Sequence, residues 1–398
     1  MRRNRCHQVL AGRHSLIAPV GGGRGPAPGA AGAPGAPGRD RRPHHRYRLL
    51  GTLSLLALAG GVLSACSSSP STSAPKAAST SGSGTAAKAA SITIALPVAE
   101  PVQSPVYLAQ KLGYFRQAGL NVNIVVLAGD TAANAAMIAG SVQYTSVNAV
   151  SLLTAAEKGV PVQNVCMEYD GPEWALAVSK STLSSDHVSK GMGLKQLLAG
   201  LHGAKIAIVG SAAAAPGLML NGLLKQQGLP AGSLSLVGVH ASSDLASAYS
   251  HGEVQALFDT QPTPDEIVQK FGGQVVFDTT QVSSLAQIPW EGIIGTKSYI
   301  SKNPSIDKAV CNAIGMADNY LRQHPSGAVS QLSGTFPNLS PALLGVALKA
   351  YRWAPDGRMT AAQWSNGATL LAQLGMIKSA PSASTLSGAF TTKYLPAG

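Results

Sequence analysis

The chain has 398 residues, with 30 Lys plus Arg against 18 Asp plus Glu, for a formal net charge of +12. Taken whole, that charge would suit a nucleic acid, but residues 1–65 hold ten arginines and one acid, and from Cys66 onward the excess is only +3. No basic run and no basic-aromatic interleaving follows Cys66, so nucleic acid is excluded as a partner.

The first 40 residues are rich in Gly, Pro, Ala and Arg, lack periodicity and carry no structural reading. Arg41, Arg42, Arg46 and Arg48 then precede an apolar run, Leu49 to Ala65. That run is short for a bilayer span and diluted by Gly and Ser, and its flanks are those of a secretory signal. It ends in Leu63-Ser64-Ala65-Cys66, which resembles the bacterial lipoprotein box. The resemblance implies cleavage before Cys66, acylation of its thiol and anchoring on the extracytoplasmic face of the cell membrane. More than one acyl chain makes such an anchor stable. A plain signal peptide with an accidental Cys is the alternative. After Cys66, residues 67–90 are Ser, Ala, Gly, Thr and Pro with only two lysines, and 66–90 read as a flexible tether.

From Ser91 strands and helices alternate. Strand 91–96 precedes a helix over 104–119, strand 121–127, a helix over 129–140 with Asp130 or Thr131 as N-cap, strand 142–147, helix 148–159, and strands 161–169 and 174–180. After a helical stretch at 193–203 the series repeats: strand 205–210, helix 215–228, strand 233–239, helix 242–252, strand 254–259, helix 264–273, strand 274–278. "MIAGSVQYTSV" and "AYSHGEVQALFD" take the same place in each series. This predicts an α/β protein of two lobes with mainly parallel sheets and right-handed crossovers. A strand at 292–300 and amphipathic helices at 305–324, 340–351 and 360–375 then read as a helical C-terminal return to the first lobe. The expected division is 1–65 leader, 66–90 tether, 91–180 first part of lobe 1, 181–288 lobe 2 and 289–398 the return.

Two cysteines remain past Cys66, Cys166 and Cys311. Outside the cytoplasm they can pair if the returning helix packs on lobe 1; two separately buried thiols are the alternative. The histidines are scattered, and no spacing suits a metal.

"PVYLAQKLGYFRQAGLNVNIVVLAGDTAANAAMIAGSVQYTSV", "AAEKGVPVQNV", "LLAGLHGAKIAIVGS", "LLKQQGL", "AYSHGEVQALFD" and "EGIIGTKSYISKNPSIDKAVCNAIGMADNYL" stand in the order of a known pattern. It resembles the nitrate/sulfonate/taurine and thiamine-precursor binding proteins of ABC importers, over residues 91 to 325. One departure is Gln143 and Gln255 where the pattern carries an acid. The resemblance implies a two-lobed type II periplasmic-binding-protein fold closing on one small molecule, with ABC permease subunits as partners, no cofactor and a monomeric state.

Ligands of open α/β sheets sit beyond the carboxyl ends of strands, against helix N-termini. That places Glu100, Ser104, Tyr107, Asp130, Thr131, Ser146, Asn148 and Ser211 as candidates, each Ser, Thr and Asn serving equally as an ordinary N-cap. Tyr169, Trp174 and Trp290 are candidate aromatic walls or core residues. Glu168, Asp170 and Asp259, with Glu100, suit an amine or ring N–H, or are solvated loop acids. After Cys66 the only arginines are Arg116, Arg322, Arg352 and Arg358, none in a predicted cleft loop. An Arg clamp on a sulfonate or carboxylate is therefore disfavoured, and the residues lean toward a neutral or cationic heteroaromatic ligand. The expected function is capture of a small molecule for an ABC importer. A ligand-sensing lipoprotein uncoupled from transport and a pyrimidine-precursor synthase-like enzyme are the alternatives, the latter without that enzyme's cysteine-rich motif.

Overall fold

A computed structural model describes residues 89–185 and 188–396. The leader, Cys66 and most of the tether lie outside the described residues. Among the described residues no helix is long and apolar enough to cross a membrane.

Among the described residues eleven strands form two sheets. The first has the order β11-β4-β10-β3-β1-β2, with β1 Ala90–Leu96, β2 Leu120–Val126, β3 Tyr144–Asn148, β4 Val162–Asp170, β10 Pro289–Thr296 and β11 Arg352–Trp353. The second has the order β7-β6-β8-β5-β9, with β5 Trp174–Val178, β6 Lys205–Val209, β7 Ser235–Val239, β8 Ala256–Thr260 and β9 Gln274–Asp278. Pairing is parallel in β1–β2, β1–β3, β6–β7 and β6–β8. β10 runs antiparallel to β3 and β4, and β5 antiparallel to β8 and β9. Each sheet therefore holds four strands of one direction and an opposed strand that has crossed from the other lobe, with the two-residue β11 added at one edge.

The two lobes share a detail at the position where the sequence departs from the family pattern. Gln143 Oε1 accepts from the Thr93 N–H at 2.8 Å, and Gln255 Oε1 accepts from the Lys205 N–H at 2.9 Å. In both cases a side chain just before the third strand holds the start of the first. An amide oxygen accepts that bond as a carboxylate would, so the departure leaves the fold intact.

The expected lobe boundary at residue 180 is corrected. β5 pairs with β8 and β9, so the first crossover is Gly171–Glu173. β4 and β5 are both buried almost throughout, and alternation alone does not tell to which sheet a buried strand belongs. Gly171 (φ 75°) donates its N–H to the Ile288 carbonyl at 2.7 Å, tying the first crossover to the second. A Cβ there would meet Leu285 O at 3.0 Å and Ala286 Cα at 3.2 Å. Thr279 Oγ1 also donates to Pro172 O at 2.7 Å, and the Arg352 guanidinium to Thr280 O.

The helix expected over 104–119 is two, Ser104–Lys111 and Tyr114–Gln117, because Gly113 adopts φ 75° between them. The 129–140 helix begins at Gly129 with Ala128 as its N-cap, so neither Asp130 nor Thr131 caps it. The run at 292–300 divides into β10 and a helix, Lys297–Lys302, capped by Thr296.

The Pro304–Gln323 helix lies on β4 and buries Val310, Cys311, Ile314 and Leu321 in the core of lobe 1. Cys311 Sγ donates to Val165 O at 3.2 Å, and Cys166 lies against it, but the two are free thiols and not the disulfide held open above.

Candidate functional site

A cavity of about 350 Å³ opens between the lobes, a volume within the ordinary range for a small ligand. Lobe 1 supplies Glu100, in the loop after β1, and the Thr335–Leu339 segment with Phe336. Lobe 2 supplies Ser242, first residue of the Ser242–Ser250 helix, and Thr263 and Glu266 of the Thr263–Phe271 helix. The walls at Glu100 and at Pro262 and Thr263 are strand-to-helix loops, as the strand-end rule requires, while Thr335–Leu339 joins two helices.

Carboxylates continue inward from this mouth. Asp259, at the end of β8, is 5% exposed. Burial raises it to about 7, Glu100 adding to the rise while Ser242, the Thr260 backbone and Thr263 offset part of it. Glu173, in the first crossover, is 2% exposed and raised to about 8 by burial, with Tyr169 and a backbone N–H partly opposing. Glu291, on β10, is pushed up by burial and then by Asp130, Glu168 and Glu173. Glu168 is raised to about 8 by burial, its bond from Ser146 lowering it in part. Burial also raises Glu100. Among the described residues the only ion pair is Arg358 with Asp356, so none of these five carboxylates has a cation beside it.

Aromatic rings pack behind the cavity among these acids, Phe336 being the aromatic residue of the lining itself. Tyr169 meets Tyr351 edge-on at 5.0 Å and Trp353 at 5.9 Å; Trp174 meets Trp290 at 5.4 Å and Phe258 at 5.8 Å. The Tyr351 hydroxyl donates to Gln261 O at 3.1 Å. Burial raises that phenol, and the charges of Glu173, Glu100, Asp259 and Glu291 raise it further.

Among the sequence candidates, Glu100 lines the cavity and Asp259 lies behind it. Ser146 hydrogen-bonds Glu168 and, at 3.2 Å, Glu291 Oε1, which places it among the carboxylates. Tyr169 and Trp290 are buried in the aromatic wall, at 1% and 3% exposure. Asp130 accepts from Asn148 Nδ2 at 2.8 Å and from Ser151 Oγ at 2.7 Å, and Asn148 caps the next helix through the Ser151 N–H. Both therefore brace two helix N-termini. Ser104 Oγ donates to Pro101 O at 2.6 Å, holding the Glu100 loop from behind. Tyr107 packs edge-on against Phe336 at 5.7 Å. Thr131 and Ser211 are exposed and do not line the cavity; Ser211 Oγ accepts from the Ala213 N–H.

Glu173, Glu291, Gln261 and Tyr351 are not reached as site residues from the sequence. Glu173 sits in the first crossover and Glu291 at the start of the strand that follows the second, in Pro172-Glu173-Trp174 and Pro289-Trp290-Glu291. That paired Pro, Trp and Glu pattern is the signal that would have found them.

The family model described as NMT1/THI5 like matches residues 100–328. No curated protein matches significantly. Among solved structures, the alkanesulfonate-binding protein SsuA from Xanthomonas axonopodis pv. citri bound to MOPS has a TM-score of 0.57 at 18% identity, over 77% of this chain and 99% of that one. The periplasmic aliphatic sulphonate binding protein SsuA from Escherichia coli has a TM-score of 0.56 at 18% identity, over 70% and 89%. The periplasmic nitrate-binding protein NrtA from Synechocystis PCC 6803 has a TM-score of 0.55 at 13% identity, over 77% and 87%. At these identities the likeness speaks for the fold, which is the two-lobed type II periplasmic-binding fold.

Proposed function

Since this chain belongs to the NMT1/THI5-like family, we propose that it is the substrate-binding component of an ABC importer, capturing one small molecule between its lobes and delivering it to the permease. The observation that carries the reading is the cavity of about 350 Å³ whose lining comes from both lobes, at loops following β1 and β8 and at the first turn of a lobe-2 helix. The crossovers at 171–173 and 279–288 are where the lobes would hinge on closure. Capture and release suit this site better than catalysis: among the described residues the cavity lining holds no histidine, cysteine or lysine.

In the same reading, lipid on Cys66 holds the domain at the extracytoplasmic face, and residues 66–90 let it reach a permease in the same membrane. Native mass spectrometry of the full chain, purified gently, tests the capture. A stoichiometric small-molecule adduct, or a ligand from a thermal-shift panel, supports it; silence in both overturns it. For the anchor, Cys66→Ser should leave the chain unacylated and released from membranes, and continued detergent-dependent retention would refute that part.

A further inference from the structure

The same site carries a charge argument about its ligand, and it rests on the capture reading above. Five carboxylates, Glu100, Glu168, Glu173, Asp259 and Glu291, gather at and behind the cavity with no Lys or Arg paired to them among the described residues. An anion brought here would meet like charge from every carboxylate that ionises, opposed only by the N-termini of the Ser242–Ser250 and Thr263–Phe271 helices, and burial strengthens that repulsion by lowering the local dielectric. Sulfonate or nitrate, bound by the structural neighbours named above, would find no Arg fork and no positive side chain in this cavity.

A second observation concerns acceptors that are not carboxylates. Gln103 is 1% exposed and Gln261 is 5% exposed, and the Oε1 of each is without a hydrogen-bond partner. The Gln103 amide reaches Glu291 Oε1 through its Nε2 at 3.5 Å, so its unpartnered oxygen sits among the carboxylates. Glu168 Oε1, Glu173 Oε2 and Asp259 Oδ2 are likewise unpartnered. Buried polar atoms in native proteins are almost always satisfied, so a set of acceptors with no donor marks where donors come from outside the chain. Metal ions are the first alternative donor of positive charge. Among the described residues, however, no three acidic, His or Cys side chains converge closely enough to chelate one. Glu100 lines the cavity and the other acceptors lie buried behind it, Glu173 and Glu291 close enough to act on the Tyr169 and Tyr351 phenols and Gln261 bonded through its carbonyl to the Tyr351 hydroxyl.

We infer that the captured molecule is an organic cation bearing several N–H donors, a protonated amine or amidine with an apolar or planar body. Its N–H groups pair with Glu100, Asp259, Glu173 and the two glutamine oxygens, and its body lies along the aromatic wall. Cation–π attraction adds to the carboxylate pairing. Quaternary ammonium ions fit the charge but not the acceptors, having no N–H to donate.

Isothermal titration of the full chain, at low and at raised salt, tests this with named probes. 1,4-Diaminobutane and benzamidine represent the class; tetramethylammonium lacks N–H; ethanesulfonate and nitrate are the anions. At least one N–H cation should bind, more weakly as salt rises, with tetramethylammonium and the anions silent. Glu100→Gln and Asp259→Asn should each weaken that binding about tenfold or more, as loss of a charge-assisted bond does. Their melting temperatures should be unchanged or higher, which separates lost ligand contacts from lost folding. Binding of an anion with the cations silent, or a neutral adduct in native mass spectra, would overturn the charge class while leaving capture intact. Undiminished binding in both variants would also overturn it. Silence toward every probe, with no adduct, would overturn the class and the capture reading together.

Discussion

Replacing Glu173 with Gln should stabilise the ligand-free protein, and by more as pH rises. The carboxyl is 2% exposed, and burial holds it at about 8 against an ordinary 4.5. The sign follows from linkage. Because the folded value is raised, stability is complete below the ordinary value and is lost as pH climbs toward the folded one. Each pH unit in that window costs about 1.4 kcal/mol, so near pH 7.5 the carboxyl costs about 4 kcal/mol, and near pH 5 under about 1 kcal/mol. Gln keeps the shape and removes the charge, but its amide brings N–H donors toward the Tyr169 hydroxyl, returning about 1 kcal/mol. The net gain is about 3 kcal/mol near pH 7.5. At about 2 °C per kcal/mol for a chain of this size, that is a rise of about 6 °C. The assay is thermal melting of both proteins, stripped of bound ligand, in buffers from about pH 5 to about pH 8.5. A gap between them that does not widen with pH would refute the reasoning, as would a wild type that gains stability over that range.

Other tests reach other parts of the molecule. Gly171→Ala sets a side chain at φ 75° with its Cβ 3.0 Å from Leu285 O, so it should cost about 1–3 kcal/mol of stability, read from denaturant melts; an unchanged midpoint would contradict the close approach. Gln143→Ala should lose about 1 kcal/mol with the bond to Thr93, and Gln143→Glu should retain most of it; equal losses in the two would show that the bond does not matter. Cys166 and Cys311 should both alkylate in denaturant without prior reduction and resist alkylation when folded, as buried free thiols do; non-reducing peptide mapping that found them linked would refute it. Affinity for a cationic ligand should rise as pH increases from about 6 to about 8, because Asp259 and Glu173 must ionise to pair with it, and titration at three pH values would show the reverse if the ligand were an anion.

Much of the fold was legible because each lobe is built from strand, helix, strand, helix, strand, and each helix ends at a glycine such as Gly140 or Gly252. What stayed hidden depends on partners distant in sequence. β5 belongs to the second sheet only through its pairing with β8 and β9. β11 is two residues set against β4, and no periodicity exists over so short a run. The Ala383–Ala389 helix lies in a Ser- and Ala-rich stretch that reads as loop. For the site, Glu100 and Asp259 stand at strand ends, where the topology rule looks. Glu173 stands in the first crossover and Glu291 just past the second, where Pro and Gly read as punctuation. The acids were visible as residues, but their want of cations is a property of three-dimensional neighbours. The candidates that proved to be braces, Asp130 and Asn148, bond each other across two helix N-termini 18 residues apart.

The bond from Gly171 to Ile288 gives the two crossovers a common fulcrum. Glu173 lies two residues from it, on the short arm of a lever, and the outer rims of the lobes lie on the long arms. A small rotation about the fulcrum moves the rims much farther than it moves Glu173, so labels placed on the rims would read closure as a distance.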